Sequence, residues 1–315
     1  MKLSLLVVLS LGLFWACSET SSAPPPIKIA TTPWPGSEYI YLAEHLGYFD
    51  KLDLKVELLQ LSSLSDAQQI YINGHADGLF STIVEAVQAP YLGGEPLSVV
   101  LIPDYSNGGD VILAKSHINS ISDLRGQKVG AEVSSLGIYI LARALHKYGM
   151  KLSDVELIHV EPANGESLLV EGKIDAFVTY PPVSIKIANH PNIKQIFNTS
   201  EIPYEIFDTL AISKSVLQQQ PGIVPKLRRA WQMALDYSIT HPTLAYRFMA
   251  QREQISSAEF ISTLTGIEVL TSVEQAKLLE DSEKLESLAN QVCHLLVELD
   301  NINSQCSESS LLFHP

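Results

Sequence analysis

The chain has 315 residues, of which 46% are hydrophobic, and its formal net charge is -14 at pH 7. This length allows one large domain or two ordinary ones, and the apolar fraction suffices for a buried core and excludes a disordered chain. The acidic balance argues against nucleic-acid binding and against a basic membrane-binding patch, because both functions reward positive charge.

The N-terminal segment predicts a secreted, lipid-anchored protein. A basic start and a short apolar run read as a signal peptide over residues 1–16, which is too short to span a membrane. Residues 13–17, LFWAC, resemble a bacterial lipobox, which implies cleavage before Cys17 and acylation of that cysteine. Residues 17–26 then read as a flexible, Pro-rich tether. Secretion with a free Cys17 is the alternative, and the choice between inner and outer membrane stays open.

The folded body begins with a strand, a tight turn and a helix. Residues 27–30 predict a strand that ends at Pro33 and Pro35, because proline has no backbone N–H to donate to a neighbouring strand. Gly36 permits a sharp turn, and Ser37 is placed to cap the helix that follows. A strand that runs into a helix leaves free N–H groups at its carboxyl end, where open α/β sheets bind ligands.

The alternation of strands and helices continues along most of the chain. Strands are predicted at 54–59, 77–82, 97–103, 111–114, 128–131, 155–160, 174–179 and 193–197, with helices at 66–73, 83–89, 138–148 and 164–171. This alternation implies right-handed βαβ units and mostly parallel sheets. Two polar breaks, 104–110 and 200–209, are predicted to be loops or crossovers between domains.

After the second break the chain is predicted to be helical. Helices are expected over 225–240 and 244–251, and a long last helix is expected to begin with a capping box at Ser272. The leucine stripe of that last helix predicts a face packed against the core. Cys293 and Cys306 lie in a predicted oxidising compartment, so they either form a disulfide or remain free thiols.

Five segments carry a family resemblance through their order and spacing, namely WPGSEYIYLAEHLGYF, GHADG, DYSNGGD, EVSSLG and EGKIDAFVTYPP. Together they resemble the substrate-binding proteins of ABC importers, in the taurine/nitrate/sulfonate (SsuA/Thi5-like) class that also includes binding proteins for thiamine pyrimidine precursors. The resemblance implies a type II periplasmic binding protein fold, which is α/β with two lobes, each a mostly parallel sheet flanked by helices. Lobe 1 would comprise residues 27–105 and 206–315, and lobe 2 would comprise residues 106–205.

The resemblance also implies a ligand cleft between the lobes. The candidate ligand residues lie at strand ends, crossovers and one helix start, and they are Trp34, Pro35, Gly36, Glu38, Ser81, Thr82, Asp104, Tyr105, Ser106, Asp110, Ser134, Ser135, Leu136, Gly137, Tyr180 and Asp208. The aromatic candidates can stack on a flat or methylated group. Residues 134–137 open a helix whose N-terminus suits an anionic or carbonyl oxygen.

Four of these candidates are acidic, and no Lys or Arg occurs in the same loops. This balance favours a ligand with an amine, amidine or aminopyrimidine end, because a buried charge is usually paired. The alternative is that the acids cap turns at the hinge and do not touch a ligand.

We therefore predict a monomeric, lipid-anchored solute-binding protein that delivers a small polar molecule to an ABC permease of the inner membrane. No metal, cofactor or nucleic-acid partner is predicted. The same cleft also suits a sensor that presents its ligand to a membrane receptor kinase or cyclase. An enzyme is the rival class, because the family also resembles pyrimidine synthases that use pyridoxal phosphate and a sacrificial histidine. Here His45 reads as a surface residue and His75 as a turn residue, and no catalytic motif accompanies them.

Overall fold

The computed structural model describes residues 25–303 and 305–306, and these residues form two five-stranded sheets flanked by helices. The predicted signal peptide over residues 1–16 and the predicted lipidation at Cys17 lie outside the described residues. Within the described part of the chain, no helix has both the length and the apolar character needed to cross a membrane.

The strands alternate with helices, as the sequence predicts. In chain order the strands are β1 (Ile27–Thr31), β2 (Val56–Gln60), β3 (Gly78–Thr82), β4 (Leu97–Leu101), β5 (Asp104–Ser106), β6 (Val111–Lys115), β7 (Lys128–Ala131), β8 (Glu156–His159), β9 (Ala176–Thr179), β10 (Ile193–Asn198), β11 (Asp208–Ser213) and β12 (Ile267–Val269). The helices are α1 (Glu38–His45), α2 (Tyr48–Lys51), α3 (Leu64–Ile72), α4 (Ile83–Gln88), α5 (Leu136–Lys147), α6 (Pro162–Val170), α7 (Val183–Ala188), α8 (Lys214–Gln219), α9 (Ile223–Thr240), α10 (Pro242–Arg252), α11 (Ser257–Thr263), α12 (Ser272–Glu280) and α13 (Ser282–Glu298).

The two sheets share one topology. The spatial order is β2-β1-β3-β11-β4 in the first sheet and β10-β6-β9-β7-β8 in the second. Four strands of each sheet are parallel, whereas β11 in the first sheet and β6 in the second run antiparallel to their neighbours. The predicted two-lobed α/β fold with mostly parallel sheets is confirmed. In each lobe the antiparallel strand is the one through which the chain enters from the other lobe.

The prediction of a crossover followed only by helices was wrong for residues 208–213. These residues form β11, which pairs antiparallel with both β3 and β4 in the middle of the first sheet. Every residue of this strand is buried. The apolar run Leu210–Ile212 is too short for periodicity to identify, so only the pairing with two neighbours makes it a strand.

The two crossovers lie side by side between the lobes. The amide of Ser106 donates to the carbonyl of Ile206 at 2.9 Å, and Tyr105 forms an isolated antiparallel bridge with Phe207. The first crossover also contains β5, which pairs with β12 from the C-terminal region. The lobes are therefore joined by two adjacent, hydrogen-bonded chain segments.

The C-terminal helices differ from the prediction in where the first one begins and in how the predicted long helix is divided. The capping box is formed by Thr271 and Glu274, one residue before the predicted start at Ser272, because the Thr271 hydroxyl accepts from the Glu274 amide. The long predicted helix is divided into α12 and α13, since Asp281 ends the first and caps the second through the amide of Lys284. The predicted apolar stripe is a core face, as its central residues are buried.

Helix α13 packs against both α4 of the first lobe and α5 of the second. Its buried residues Val292 and Leu296 belong to an apolar cluster that also contains residues of both sheets. Cys293 of this helix forms a disulfide with Cys306, with the two Cα atoms 5.9 Å apart. The apolar contacts of α13 therefore reinforce the connection that the crossovers make.

Close helix–sheet packing in the second lobe gives a test of the fold. A Cβ added at Gly165 of α6 would lie 2.0 Å from a ring atom of Phe177, which is 1% exposed. We expect Gly165→Ala to lower the free energy of unfolding by about 1–3 kcal/mol because the ring must move. Urea denaturation measures this change. Gly222→Ala is the control, because nothing lies within 4 Å of its added Cβ, and equal effects of the two substitutions would contradict the packing.

Candidate ligand-binding site

A narrow cavity with an accessible volume of about 20 Å³ lies between the two lobes. The residues that line it are Thr32, Trp34, Ser37, Leu64, Phe80, Ser81, Thr82, Asp110, Leu136, Tyr180 and Asp208. The parallel strands β3 and β9 end at this cavity, whereas the antiparallel strands β6 and β11 begin there. The reversed direction of β6 and β11 explains why Asp110 and Asp208, at their starts, lie beside residues that follow the ends of parallel strands.

Two aromatic side chains, one from each lobe, form a wall of the cavity. Trp34 and Tyr180 have ring centroids 6.3 Å apart and nearly perpendicular planes. The indole Nε1 of Trp34 donates to Oδ1 of Asp104 at 3.1 Å, which holds the ring in place. A Cβ at Gly36 would lie 2.6 Å from that Nε1 and 2.2 Å from Oδ2 of Asp104, so the turn requires glycine there. Gly36 and Asp104 therefore support the cavity wall without lining it.

Three carboxyl groups are buried at the crossover ends. Their side chains, those of Asp104, Asp110 and Asp208, are at most 6% exposed. When these groups are ionised, Oδ2 of each has no hydrogen-bond donor among the described residues. Burial raises the pKa of Asp104 to about 6 and that of Asp110 to about 7. Burial and the adjacent Asp104 raise the pKa of Asp208 well above its ordinary value.

Because the pKa of Asp208 is raised by burial and by the neighbouring Asp104, its carboxyl favours the protonated, uncharged form. Asp110 faces the same cavity from the first crossover, and its Oδ2 has no donor among the described residues. None of the described residues that line the cavity is Lys, Arg or His. The cavity therefore presents acceptors without a matching basic side chain.

Glu38 does not line the cavity. Its carboxylate is 1% exposed and accepts from Nε of Arg252 at 2.7 Å. The Arg252 guanidinium lies 3.4 Å from the ring centroid of Tyr41 and also donates to Gln60. Burial raises the pKa of Glu38 to about 7 even though Arg252 opposes that shift. The structure therefore gives Glu38 a partner in α10 and does not bring it to the cavity.

Two other candidates at the first crossover also contact protein groups. Tyr105 packs against Tyr204 and Phe207, with centroids 4.9 and 5.5 Å away, in a separate outer groove. The hydroxyl of Ser106 lies 2.6 Å from that of Thr199 and accepts from the amide of Asp110 at 3.1 Å. Ser106 therefore ties the two crossovers together and positions Asp110.

The remaining candidates surround the cavity without lining it. Pro35 is buried within the turn, and the Ser135 hydroxyl is buried with no hydrogen-bond partner among the described residues. The hydroxyl of Ser134 lies 2.8 Å from that of Ser65 in the other lobe. A Cβ at Gly137 would lie 2.8 Å from the amide nitrogen of Glu132, so glycine allows the start of α5 to approach that strand end.

The start of α5 is occupied by a side chain of the other lobe. The amide of Leu136 donates to Oε1 of Glu85 in α4 at 2.8 Å. In the opposite direction, the amide of Ser65 in α3 donates to Oε1 of Glu132 at 3.1 Å. The predicted anion-binding position at residues 134–137 therefore already contacts a carboxylate of the protein.

The profile of the family described as "NMT1/THI5 like" matches residues 34–245. The chain belongs to the NMT1/THI5 like family. This confirms, at the level of the family, the SsuA/Thi5-like resemblance of the sequence segments. The match begins at Trp34 of the cavity wall and includes every residue that lines the cavity except Thr32.

Two similar sequences and one similar structure illustrate the range of proteins that this chain resembles. A Haemophilus influenzae protein named provisionally for thiamine biosynthesis is 29% identical over 46% of this chain and 46% of its own length. The 4-amino-5-hydroxymethyl-2-methylpyrimidine phosphate synthase of Aspergillus parasiticus is 27% identical over 68% of this chain and 67% of its own. The periplasmic aliphatic sulphonate binding protein SsuA of Escherichia coli has the same fold, with a TM-score of 0.73 and 16% identity over 90% of this chain and 95% of its own. The chain spans about half the length of the first curated relatives that it matches.

Sequence reasoning missed four lining residues and the two glutamates that cross the cleft. Thr32 and Ser37 flank the Pro/Gly turn of this NMT1/THI5 like protein. Their position next to the turn is the sequence feature that could have identified them as lining residues. Ser37 occupies the predicted N-cap position, but its hydroxyl donates to the Trp34 carbonyl instead of accepting from the helix. Leu64 and Phe80 are ordinary apolar residues in the sequence, and nothing distinguishes them from core residues.

The buried carboxyl of Asp110 predicts a pH-dependent stability for this NMT1/THI5 like protein. Its pKa is about 7 in the folded protein and about 3.9 in an unfolded chain. The folded state therefore binds more protons between these values, and the free energy of unfolding falls as the pH rises from about 4 to about 7. We expect Asp110→Asn to reduce that slope by up to about 1.4 kcal/mol per pH unit.

Urea denaturation at several pH values between 4.5 and 7.5 tests this expectation. The exposed Asp50 provides the control, because Asp50→Asn removes a carboxyl that is not buried. Parallel curves for wild type and Asp110→Asn would show that the Asp110 carboxyl does not take up a proton on folding.

Proposed function

We propose that this NMT1/THI5 like protein is a solute-binding protein that captures a small molecule with an amine or aminopyrimidine group and delivers it to an ABC importer. The observation that carries the proposal is the cavity between the lobes, where buried acceptors and two aromatic rings converge without a basic side chain among the described lining residues. The names of the relatives support a small pyrimidine or organic solute as the ligand class.

The chemistry of the lining residues suits a flat ligand with a hydrogen-bond donor. A ring can lie against Trp34 and Tyr180, whose side chains come from different lobes. An amino group on that ring can donate to Oδ2 of Asp110, and a charged amine forms the stronger bond of this kind. The pairing also relieves the cost of burying a carboxyl group without a partner.

The proposed mechanism is closure of the cleft. We propose that residues 27–105 and 206–315 act as lobe 1 and residues 106–205 as lobe 2, with the paired crossovers as the hinge. A ligand that contacts Trp34 in lobe 1 and Tyr180 in lobe 2 favours the closed arrangement, because only that arrangement provides both contacts. The permease then recognises the closed form.

We further propose a monomeric protein on the periplasmic face of a bacterial membrane, anchored through acylated Cys17. The lipobox-like segment supports the anchor, and the periplasmic relative of the same fold supports the compartment. A sensor that presents the same ligand to a membrane receptor is the alternative partner arrangement. Adjacent permease and ATPase genes would favour import, whereas an adjacent receptor gene would favour sensing.

A second candidate function is pyrimidine synthesis, which the Aspergillus parasiticus relative favours. The histidines considered for such a role do not support it. His45 and His75 are both exposed, and neither lines the cavity. Among the described residues, no group of three or more His, Cys, Asp and Glu side chains is arranged to hold a metal ion.

Isothermal titration calorimetry and thermal shift test the ligand class. The probes are 4-amino-5-hydroxymethyl-2-methylpyrimidine, putrescine, methanesulfonate and nitrate. We expect the aminopyrimidine or the amine to bind, with about 2.7 kcal/mol of stabilisation at a hundredfold excess over the dissociation constant. We expect Asp110→Asn to weaken that binding by at least about tenfold, which corresponds to about 1.4 kcal/mol.

Asp50→Asn is the matched control for this experiment, because it removes one exposed carboxyl outside the cavity and should leave the affinity unchanged. Binding of methanesulfonate or nitrate alone would refute the proposed ligand class. Equal affinities of Asp110→Asn and wild type would remove Asp110 from the proposed contacts.

A further inference from the structure

Glu85 connects the two lobes through a single carboxylate. It is 0% exposed, and its Oε2 accepts from the amide and the hydroxyl of Thr82 at 3.0 and 2.6 Å, within its own lobe. Its Oε1 accepts from the amide of Leu136, the first residue of α5 in the other lobe, at 2.8 Å. Ser135 precedes α5 but makes no side-chain capping bond. Glu85 therefore supplies from across the cleft the acceptor that α5 lacks locally.

Glu132 makes the converse contact. It follows β7 in the second lobe, is 3% exposed, and its Oε1 accepts from the amide of Ser65 in α3 of the first lobe at 3.1 Å. Its Oε2 accepts from the hydroxyl of Tyr180, which lines the cavity, at 3.1 Å. Each lobe thus places a buried carboxylate on the N-terminal amides of a helix that belongs to the other lobe.

Helix N-termini are favourable positions for anions, because their first amides have no partner within the helix. In this protein the chain's own carboxylates hold such amides at the starts of α3 and α5. We propose that Glu85 and Glu132 are specificity-determining residues that exclude anionic ligands from the cleft by occupying these amides. This inference rests on the proposed function, because it concerns the ligand class of the same cavity.

An anionic ligand meets two obstacles at this position. It must displace a buried carboxylate, which then loses its hydrogen bonds while it remains away from water. It also brings a negative charge close to the carboxyl of Asp110, whose Oδ2 lies at the cavity without a donor among the described residues. A neutral or cationic ligand meets neither obstacle. Removal of Glu85 frees the Leu136 amide and removes one acidic group, and removal of Glu132 does the same for Ser65.

The test measures methanesulfonate binding to the full-length protein and to Glu85→Ala, Glu132→Ala and the double variant. Isothermal titration calorimetry at constant ionic strength, set with sodium gluconate, gives the association constants. We expect the association constant for methanesulfonate to rise by at least about tenfold in each single variant and further in the double variant. Glu85→Gln keeps the side-chain size and one acceptor oxygen, so it is expected to gain less than Glu85→Ala and protects the test against loss of folding.

Glu259 provides a matched control. Like Glu85, it forms a capping box at the start of its own helix, here with the N-cap residue Ser256, but its hydrogen bonds do not reach the other lobe. Glu259→Ala therefore removes a capping glutamate without freeing an amide at the cleft. We expect it to leave methanesulfonate binding at the wild-type level.

The proposal is overturned if the folded variants bind methanesulfonate no better than wild type does, or if Glu259→Ala gains as much as Glu85→Ala. Circular dichroism and cooperative unfolding identify the variants that are folded. The amine and aminopyrimidine probes are measured in the same series on wild type. If wild type binds neither the amine nor the aminopyrimidine but the variants gain methanesulfonate binding, the proposed ligand class is refuted and the role of the two glutamates is supported. If wild type binds the amine or the aminopyrimidine but the variants gain no methanesulfonate binding, only the role of the glutamates is refuted.

Discussion

The burial of carboxyl groups at the junction of the two lobes is the constraint on which much of this structure depends. A carboxylate taken out of water loses hydration energy that it regains only from donors, from an opposite charge or by taking up a proton. The structure uses all three remedies. Glu85 and Glu132 accept hydrogen bonds from backbone amides, Glu38 pairs with Arg252, and the raised pKa of Asp208 beside Asp104 favours its protonated form. Asp110 retains an oxygen without a donor among the described residues, and it faces the cavity.

Two of these carboxyl groups hold side chains next to the Pro/Gly turn. Asp104 fixes the indole of Trp34, which lines the cavity, and Arg252 contacts Glu38 at the start of α1. Burial, together with the neighbouring Glu38, raises the pKa of Glu253 well above its ordinary value. Both rings of the aromatic wall therefore make a polar contact that helps to position them, Trp34 with Asp104 and Tyr180 with Glu132.

The fold that this chain shares with a sulphonate-binding protein does not by itself define a ligand. Both lobes end their parallel strands at the cleft, and such a cleft offers helix N-termini to whatever binds there. The kind of ligand that such a cleft accepts depends on whether those amides are free. In this protein two of them contact glutamates from the opposite lobe, so the same architecture presents a surface that is acidic and already hydrogen-bonded.

The sequence by itself determined most of the helices and strands, their alternation, and the Pro/Gly turn with Trp34. These features follow from local chemistry, because proline lacks an N–H, glycine permits tight turns, and apolar periodicity marks buried faces. Sequence also identified Asp104, Asp110 and Asp208 as acids in crossover segments. Tertiary structure alone decided that residues 208–213 form a central strand, since pairing with β3 and β4 is a long-range property. It also decided that Glu38 pairs with Arg252 and that Glu85 and Glu132 contact amides of the opposite lobe. The reason is that the partner of a side chain depends on which distant segments the sheet topology brings next to it.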